Sequence, residues 1–461
     1  MKRAPVALGA ALVFLSAAAL FLPTLALPLG NGDEAIYAQM AREMATTHDI
    51  VTLRWQGAPC LYRPPASVWP LAIALALAAK ADPSANGSRD VVVRLPLALE
   101  AALAAALVFV IGAVRRNLPV GLVAATLFAT ARLTLRYAAY LESEPLLVDC
   151  MLAAWLAWEL APSRPRAWYA FGLAVGAALF VKPIVGALPL VLLALRRPRP
   201  RPLLATLALA VAPSLPWIGW QWTRHGRAFV DAFFVANLVG RSLSPMLRRS
   251  TPLYYPAMML QTEGALVLVF VGGLVHAARR RDWPPLVWTL ATLVPFSLVA
   301  SRYDYYALPA YPALALMAAA ALVDIRRWLA ALALLLFAAR HLAATWLGPR
   351  DVADPDSGAL ARQAAAAMPA GEPLFIVDQS PYSARWYADR RTVQLVFDPA
   401  EFAETRRMLP AEVILTTPAD YARIITAQPC FAIVPQVYAA SLPPSLTTLA
   451  TAGAYRLVRN P

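Results

Sequence analysis

Long runs of apolar residues recur through most of this chain, and they constrain its fold more than any other feature. A helix needs about 20 apolar residues to cross a bilayer, and many of the runs approach that length. Of the 461 residues, 60% are hydrophobic and only 15% are charged, which indicates a polytopic membrane protein. We predict a mainly α fold with about eleven transmembrane helices in residues 1–348, followed by a small α/β domain in residues 349–461.

Short basic groups between the apolar runs orient the predicted spans. Lys2 and Arg3 place the N-terminus in the cytoplasm by the positive-inside rule. Residues 66–79 are too short to cross, so we predict an interfacial or re-entrant helix there, which leaves every basic group inside and the C-terminal domain outside. The predicted spans are 5–28, 95–114, 118–138, 146–161, 168–182, 184–195, 203–222, 256–277, 284–300, 307–324 and 328–347.

The formal net charge of +14 would suggest a nucleic-acid partner in a soluble protein. Here the arginines cluster between apolar runs and are interpreted as topology signals, so no nucleic-acid partner is expected. The three cysteines are scattered and form no CxxC pair, which argues against a disulfide framework and a zinc site. The sequence implies no cofactor and leaves a divalent metal open.

The predicted outer loop 29–94 begins with two adjacent carboxylates, Asp33 and Glu34. The apolar positions Ile36, Met40 and Met44 lie four residues apart, and the polar residues between them fall on the other side. This spacing predicts an amphipathic helix along the membrane surface, with Asp33 as its N-cap.

Beyond residue 348 the composition becomes that of a soluble domain. The runs PLFIVD, TVQLVF, EVILTT and CFAIVP are β-branched, and helical segments such as PYSARWYADR separate them. This alternation predicts a small α/β unit with a largely parallel sheet. No glycine-rich phosphate loop follows these strands in the sequence, which argues against a nucleotide site.

Ionisable residues near the predicted span ends are the candidates for function, because charge at membrane depth is costly. A carboxylate with several cations suits transfer from a phosphate-linked donor: the carboxylate takes a proton from an acceptor hydroxyl and the cations hold the departing phosphate. Each residue also has a purely structural interpretation. Asp33 can cap a helix, Glu34 can complement the helix dipole, and Lys182 and Arg302 can be interfacial anchors.

Ordered motifs across much of the chain resemble the lipid-linked-sugar glycosyltransferases that include the bacterial lipid A aminoarabinose transferase and the protein O-mannosyltransferases. They are GDEAIYAQMAREM, THDIVTLRWQGAPCLYRPPASVWP, VKPIVGALPLVLLAL, PWIGWQWTRHGRAFVDAFFVANLVGRS and SRYDYYALPAYPALALM. The resemblance implies an inverting membrane glycosyltransferase of the C fold type (GT-C). Its donor would be a polyprenyl-phosphate sugar, specifically one on undecaprenyl phosphate.

The resemblance also assigns roles to residues. Asp33 corresponds to the catalytic carboxylate, Glu34 is its neighbour, and Glu144 falls near a second acidic position. We expect Glu34 and Glu144 to belong to the catalytic site and to orient hydroxyl groups of the sugar or the acceptor. Donor-phosphate binding is expected of four cations, and substrate lining of three tyrosines. These residues are Arg63, Arg241, Lys182 and Arg302, with Tyr37, Tyr62 and Tyr306.

The sequence departs from the aminoarabinose pattern at Tyr62, where that branch has glutamate, and at Lys182-Pro183, where the family has KG. The aminoarabinose reaction itself is therefore not assigned. The expected acceptor is a lipid, glycan or protein at the periplasmic face of the bacterial inner membrane, and membrane lipids are expected partners. The alternatives are a transporter or flippase of an anionic polyprenyl-linked lipid, and a non-catalytic scaffold.

Overall fold

A computed structural model of the chain describes residues 3–30, 32–81, 89–240, 251, 253–299, 302–325, a few positions between 328 and 339, 355–369, 371–378, 382–408 and 413–461. The helices and strands are numbered here in chain order. The α-helices are α1 Arg3–Phe21, α2 Asp33–Thr47, α3 Trp69–Ala81, α4 Arg89–Arg115, α5 Leu118–Thr130, α6 Arg132–Tyr137, α7 Glu144–Leu160, α8 Ala167–Val181, α9 Pro200–Val211, α10 Leu215–Phe229, α11 Tyr254–Glu263, α12 Leu266–Arg280, α13 Trp283–Leu298, α14 Tyr311–Ile325, α15 Pro355–Ala367, α16 Tyr382–Ala388, α17 Pro399–Met408 and α18 Tyr421–Thr426.

Shorter helical turns and eight strands complete the described structure. The 3₁₀ segments are Leu22–Ala26, Val185–Ala194, Asp304–Ala310 and Gln436–Ser441, and Val230–Gly240 is a π-helix. The strands are β1 Arg54–Trp55, β2 Ala58–Pro59, β3 Leu374–Val377, β4 Thr392–Val396, β5 Val413–Leu415, β6 Cys430–Pro435, β7 Thr447–Ala452 and β8 Tyr455–Asn460.

The chain divides into two compact units. The first, called here the helical unit, contains Met1–Leu25, Arg94–Ala139 and Ser143–Pro349. The second, called the mixed unit, contains Ala26–Val93, Tyr140–Glu142 and Arg350–Pro461. The segment that begins just before Asp33 and the C-terminal residues therefore belong to one compact body.

Three described helices are long and apolar enough to cross a membrane, namely Ala4–Phe21, Arg89–Arg115 and Asp304–Ile325. A fourth candidate is the pair Pro200–Val211 and Leu215–Asn237, which is bent by 41°. The observed fold is mainly helical, as predicted. The predicted count of about eleven spans is not confirmed. The last predicted span, 328–347, lies almost entirely outside the described residues.

Two predicted spans are broken by local backbone geometry. The run 118–138 divides at Ala131, which is extended (φ −63°, ψ 135°), and the run 256–277 divides at Gly264, which has a positive φ of 56°. Glu263 directly precedes the break at Gly264. Its carboxylate accepts hydrogen bonds from the backbone N–H groups of Arg132 (2.9 Å) and Leu133 (3.0 Å), which directly follow the break at Ala131. A buried carboxylate thereby satisfies the free N–H groups that a new helix start exposes.

The C-terminal part of the mixed unit contains a six-stranded sheet in the order β5-β4-β3-β6-β8-β7. The first four strands are parallel and correspond to the four predicted β-branched runs. The hairpin of β7 and β8 adds two antiparallel strands that the sequence analysis did not anticipate. Two apolar clusters pack against the sheet: one contains Phe431, Ile433 and Leu457, and the other contains Leu395 and Val434.

Replacement of Glu263 by alanine is expected to lower the free energy of unfolding by about 2–4 kcal/mol, because two backbone donors and the Tyr311 hydroxyl lose their acceptor. Tyr311→Phe removes one of these bonds and should cost about 1 kcal/mol. Thermal unfolding of the purified protein in detergent measures both. Equal midpoints for Glu263→Ala and the wild type would contradict this account.

Candidate active site

Helix α2 presents Asp33 and Glu34 in its first turn. The N-cap is Gly32, whose φ of 89° suits glycine, and Asp33 is the first helical residue; the prediction that Asp33 is the N-cap was wrong. Glu34 is fully buried, and its Oε2 accepts a hydrogen bond from Gly30 N at 2.5 Å. Both carboxylates lie where the helix dipole favours negative charge.

The polar side of α2 is buried, contrary to the prediction of a helix lying on the membrane surface. Gln39 is 1% exposed and Arg42 is 9% exposed. Arg42 donates from Nη1 to Trp386 O (2.9 Å) and forms an ion pair with Asp389 (3.1 Å). Helix α16 of the C-terminal residues thus covers the face that hydrophobicity alone assigned to water.

Arg63 is held between two aromatic rings of the mixed unit. Its guanidinium carbon lies 4.5 Å from the ring centre of Tyr37 and 4.6 Å from that of Tyr62, which are cation–π distances. The Tyr37 hydroxyl donates to Glu142 Oε1 at 2.8 Å. The Arg63 Nη1 atom is buried and has no hydrogen-bond partner among the described residues.

The charge of Arg63 is stable. Burial lowers its pKa, but the oxygens of Tyr37 and Tyr62 and the carboxylates of Asp33 and Glu142 act in the opposite direction, and the pKa lies well above its ordinary value. A charged, desolvated N–H without an acceptor favours an incoming anion. Glu142 was not among the site residues selected from the sequence; the signal for it was the pair of carboxylates in ESEP.

The helical unit holds a second group of the predicted residues. The Lys182 ammonium pairs with Glu144 and lies 4.5 Å from the Tyr305 ring and 5.2 Å from the Tyr306 ring. The Tyr306 ring also stacks on Phe296, with centroids 4.5 Å apart. Glu144, Lys182 and Tyr306 are therefore gathered in one polar and aromatic cluster.

The backbone beside Lys182 has an unusual form. Val185 N donates to Pro183 O at 2.8 Å across Ile184, whose φ is 68° and ψ is −63°. These values define a classic γ-turn, which is strained for a β-branched residue. The turn ends α8 at Val181 and leaves Lys182 at its C-terminus.

The remaining predicted cations lie elsewhere. Arg302 donates from Nε to Ser297 O at 3.1 Å in the helical unit. Arg241 lies outside the described residues. Asp304, which the sequence analysis did not select, accepts from Arg136 Nη1 and from the Tyr137 hydroxyl, each at 2.7 Å. Within the described part of the chain, no group of three His, Cys, Asp or Glu side chains could hold a metal ion.

Comparison with known sequences finds similarity in the helical part of the chain. The profile of the dolichyl-phosphate-mannose-protein mannosyltransferase family matches residues 62–220. An undecaprenyl phosphate-alpha-4-amino-4-deoxy-L-arabinose arabinosyl transferase of Pectobacterium carotovorum is 28% identical over 315 residues, which make up 63% of this chain and 55% of that protein. The matched region spans little more than half the length of that relative.

Comparison with solved structures extends the similarity to the whole chain. The crystal structure of ArnT from Cupriavidus metallidurans in the apo state matches with a TM-score of 0.79 and 17% identity, over 99% of this chain and 98% of that one. ArnT bound to undecaprenyl phosphate matches with a TM-score of 0.76 and 18% identity, over 98% of each chain. The protein therefore has the fold of the GT-C glycosyltransferases. Within that class it resembles ArnT in structure. The proteins that this chain matches by sequence are undecaprenyl-phosphate aminoarabinose transferases.

The pair of Glu144 and Lys182 yields a test of the second cluster. Glu144→Gln leaves the Lys182 ammonium without its carboxylate, and we expect this variant to lose about 3 kcal/mol of stability. The double variant Glu144→Gln/Lys182→Met should recover part of that loss, because it removes the uncompensated charge. Denaturant unfolding in detergent measures the cycle, and additive effects of the two changes would refute the pairing.

Proposed function

We propose that this protein is an integral-membrane, inverting glycosyltransferase that moves a sugar from a polyprenyl-phosphate donor, such as an undecaprenyl-phosphate sugar, to a lipid, glycan or protein acceptor. The observation that carries the proposal is the buried N–H of Arg63, charged and without an acceptor, in the same compact unit as Asp33. The GT-C fold and the similarity to ArnT support the same reaction class.

Asp33 is the general base in this proposal. Its carboxylate accepts the proton of an acceptor hydroxyl while that oxygen forms a bond to the anomeric carbon of the sugar. The bond between the anomeric carbon and the phosphate oxygen breaks in the same displacement, which inverts the configuration. Polyprenyl phosphate leaves with the electron pair and with the charge that develops on it.

Arg63 stabilises the departing phosphate. Its guanidinium is already desolvated by Tyr37 and Tyr62, so little reorganisation is needed when negative charge develops. Lys182 differs from Arg63, because its ammonium already has the Glu144 carboxylate as partner. We therefore assign the main phosphate contact to Arg63, and the donor-phosphate roles of Lys182, Arg241 and Arg302 stay predictions from the sequence.

The other predicted residues take positioning and lining roles. Glu34 fixes the turn before α2 through Gly30, and Glu144 orients hydroxyl groups of the sugar or acceptor. Tyr37, Tyr62 and Tyr306 line the substrate site. The proposed location is the bacterial inner membrane, with the N-terminus in the cytoplasm and the C-terminal domain in the periplasm, and the proposed domains are residues 1–348 and 349–461.

Asp33→Asn is expected to lower kcat by about 100- to 10,000-fold, because the amide cannot take the acceptor proton. The assay measures sugar transfer by the purified protein in detergent, with radiolabelled polyprenyl-phosphate sugars as donors and a membrane lipid extract as the source of acceptors. The matched control is Asp49→Asn in the same segment, since Asp49 bonds to the backbone N–H groups of Val51 and Thr52 and to Arg54. Transfer undiminished in Asp33→Asn would remove Asp33 from its role.

Arg63→Met is expected to weaken binding of undecaprenyl phosphate by about 10- to 100-fold, the effect of losing one charge-assisted hydrogen bond. Arg63→Lys should restore part of the affinity, because it keeps the charge but not the planar fork. Arg54→Met is the control, as Arg54 pairs with Asp49. Equal affinities of Arg63→Met and the wild type, measured by tryptophan fluorescence titration, would count against the phosphate site.

A further inference from the structure

The hydroxyl of Tyr387, in helix α16, contacts the backbone just before the two carboxylates of α2. It accepts a hydrogen bond from Leu29 N at 2.6 Å and donates one to Asp90 Oδ2 at 2.9 Å. Leu29 is fully buried, so its N–H would have no water to bond if the hydroxyl were absent. The Tyr387 hydroxyl therefore holds a backbone position four residues before Asp33.

The backbone N–H of the next residue, Gly30, has a different partner. Gly30 N donates to the Glu34 carboxylate, and Gly32 then begins the helix, with Ile36 N bonded to Gly32 O at 3.2 Å. Two consecutive amides thus have different partners, one from the C-terminal residues and one from α2 itself. Asp33 lies three residues after Gly30 at the start of α2, so these two bonds hold the chain where it enters the helix that carries the Asp33 carboxylate.

Further contacts fix α16 against the same elements. Trp386 Nε1 donates to Asp90 Oδ1 at 2.8 Å, so Asp90 binds two neighbouring side chains of α16. Arg42 of α2 donates to the carbonyl oxygens of Trp386 (2.9 Å) and Arg385 (3.2 Å) near the end of α16. Helix α16 is thereby attached to α2 and to the first turn of α4.

We infer that Tyr387, supported by Asp90, is a positioning residue for the transfer reaction: its hydroxyl fixes the backbone at Leu29 and, through it, the start of α2 with the Asp33 carboxylate. The inference rests on the proposed function for its catalytic consequence. It gives the C-terminal domain a role inside the reaction site of the mixed unit, in addition to any role in acceptor choice. Small displacements of a general base have large effects on rate, because proton transfer requires hydrogen-bond distance.

The test replaces Tyr387 by phenylalanine, which keeps the ring and removes only the hydroxyl. We expect kcat to fall about 10- to 100-fold while KM for the donor changes less than about threefold, since Arg63 does not depend on this turn. Hydrogen exchange in a peptide covering residues 27–34 should become faster. Tyr438→Phe is the matched control, because the Tyr438 hydroxyl bonds to Asp378 (2.6 Å) within the same domain and should leave kcat and this peptide unchanged.

Combination with Glu34→Gln distinguishes positioning from general destabilisation. Tyr387 and Glu34 hold adjacent amides of one turn, so the double variant should lose much less than the product of the two single losses in kcat. If Tyr387→Phe does not fold, Asp90→Asn replaces it, with a smaller loss in the same direction. Unchanged kcat and unchanged exchange in the variant that folds, or independent effects in the double variant, would overturn the inference.

The outcomes separate this inference from the proposed function. If the wild-type protein transfers no sugar from any polyprenyl-phosphate donor, the proposed function fails, and the exchange of residues 27–34 still decides whether Tyr387 holds the turn. If transfer occurs and Tyr387→Phe matches the wild type in both measurements, only the positioning role is rejected.

Discussion

The mixed unit is organised around a buried cation that its own residues do not fully satisfy. Arg63 lies between two tyrosine rings, with Asp33 and Glu142 near enough to stabilise its charge, and yet its Nη1 atom has no acceptor. Burial of a charged donor without a partner is costly and is retained where a ligand completes the site. The arrangement leaves one charged donor of Arg63 available to an anion, in contact with the ring of Tyr37 on α2.

Arg63 and Lys182 show how the same charge can have different surroundings in one chain. The Lys182 ammonium has a carboxylate partner and two aromatic neighbours, so its local charge is balanced without substrate. Arg63 has aromatic neighbours and a remaining donor. A protonated amine can be held in place by one strong pair, whereas the five donors of a guanidinium allow some to be satisfied internally and others to be offered to a ligand.

Sequence analysis predicted the mainly helical fold and the four parallel strands, because these depend on the local hydrophobic pattern, whereas the site residues around Asp33 stay predictions. It failed where long-range contacts decide the outcome. The polar side of α2 was assigned to water, but Arg42 is covered by a helix more than 300 residues later in the chain. The break of the run 118–138 could not be foreseen either, since the acceptor that stabilises it, Glu263, lies about 130 residues further on. Neither contact can be detected from the hydrophobic pattern of the segment whose structure it alters.

The make-up of the mixed unit has a consequence for biosynthesis. Its first segment ends at Val93 and its last begins at Arg350, so roughly 260 residues separate them. A ribosome that adds about 5–20 residues per second needs on the order of 13–50 s to synthesise these residues. During this time α2 has no α16 to pack against, and Arg42 and Leu29 lack the partners that they have in the folded chain. A nascent chain therefore carries Asp33 and Glu34 without the contacts from α16 until that helix has been synthesised.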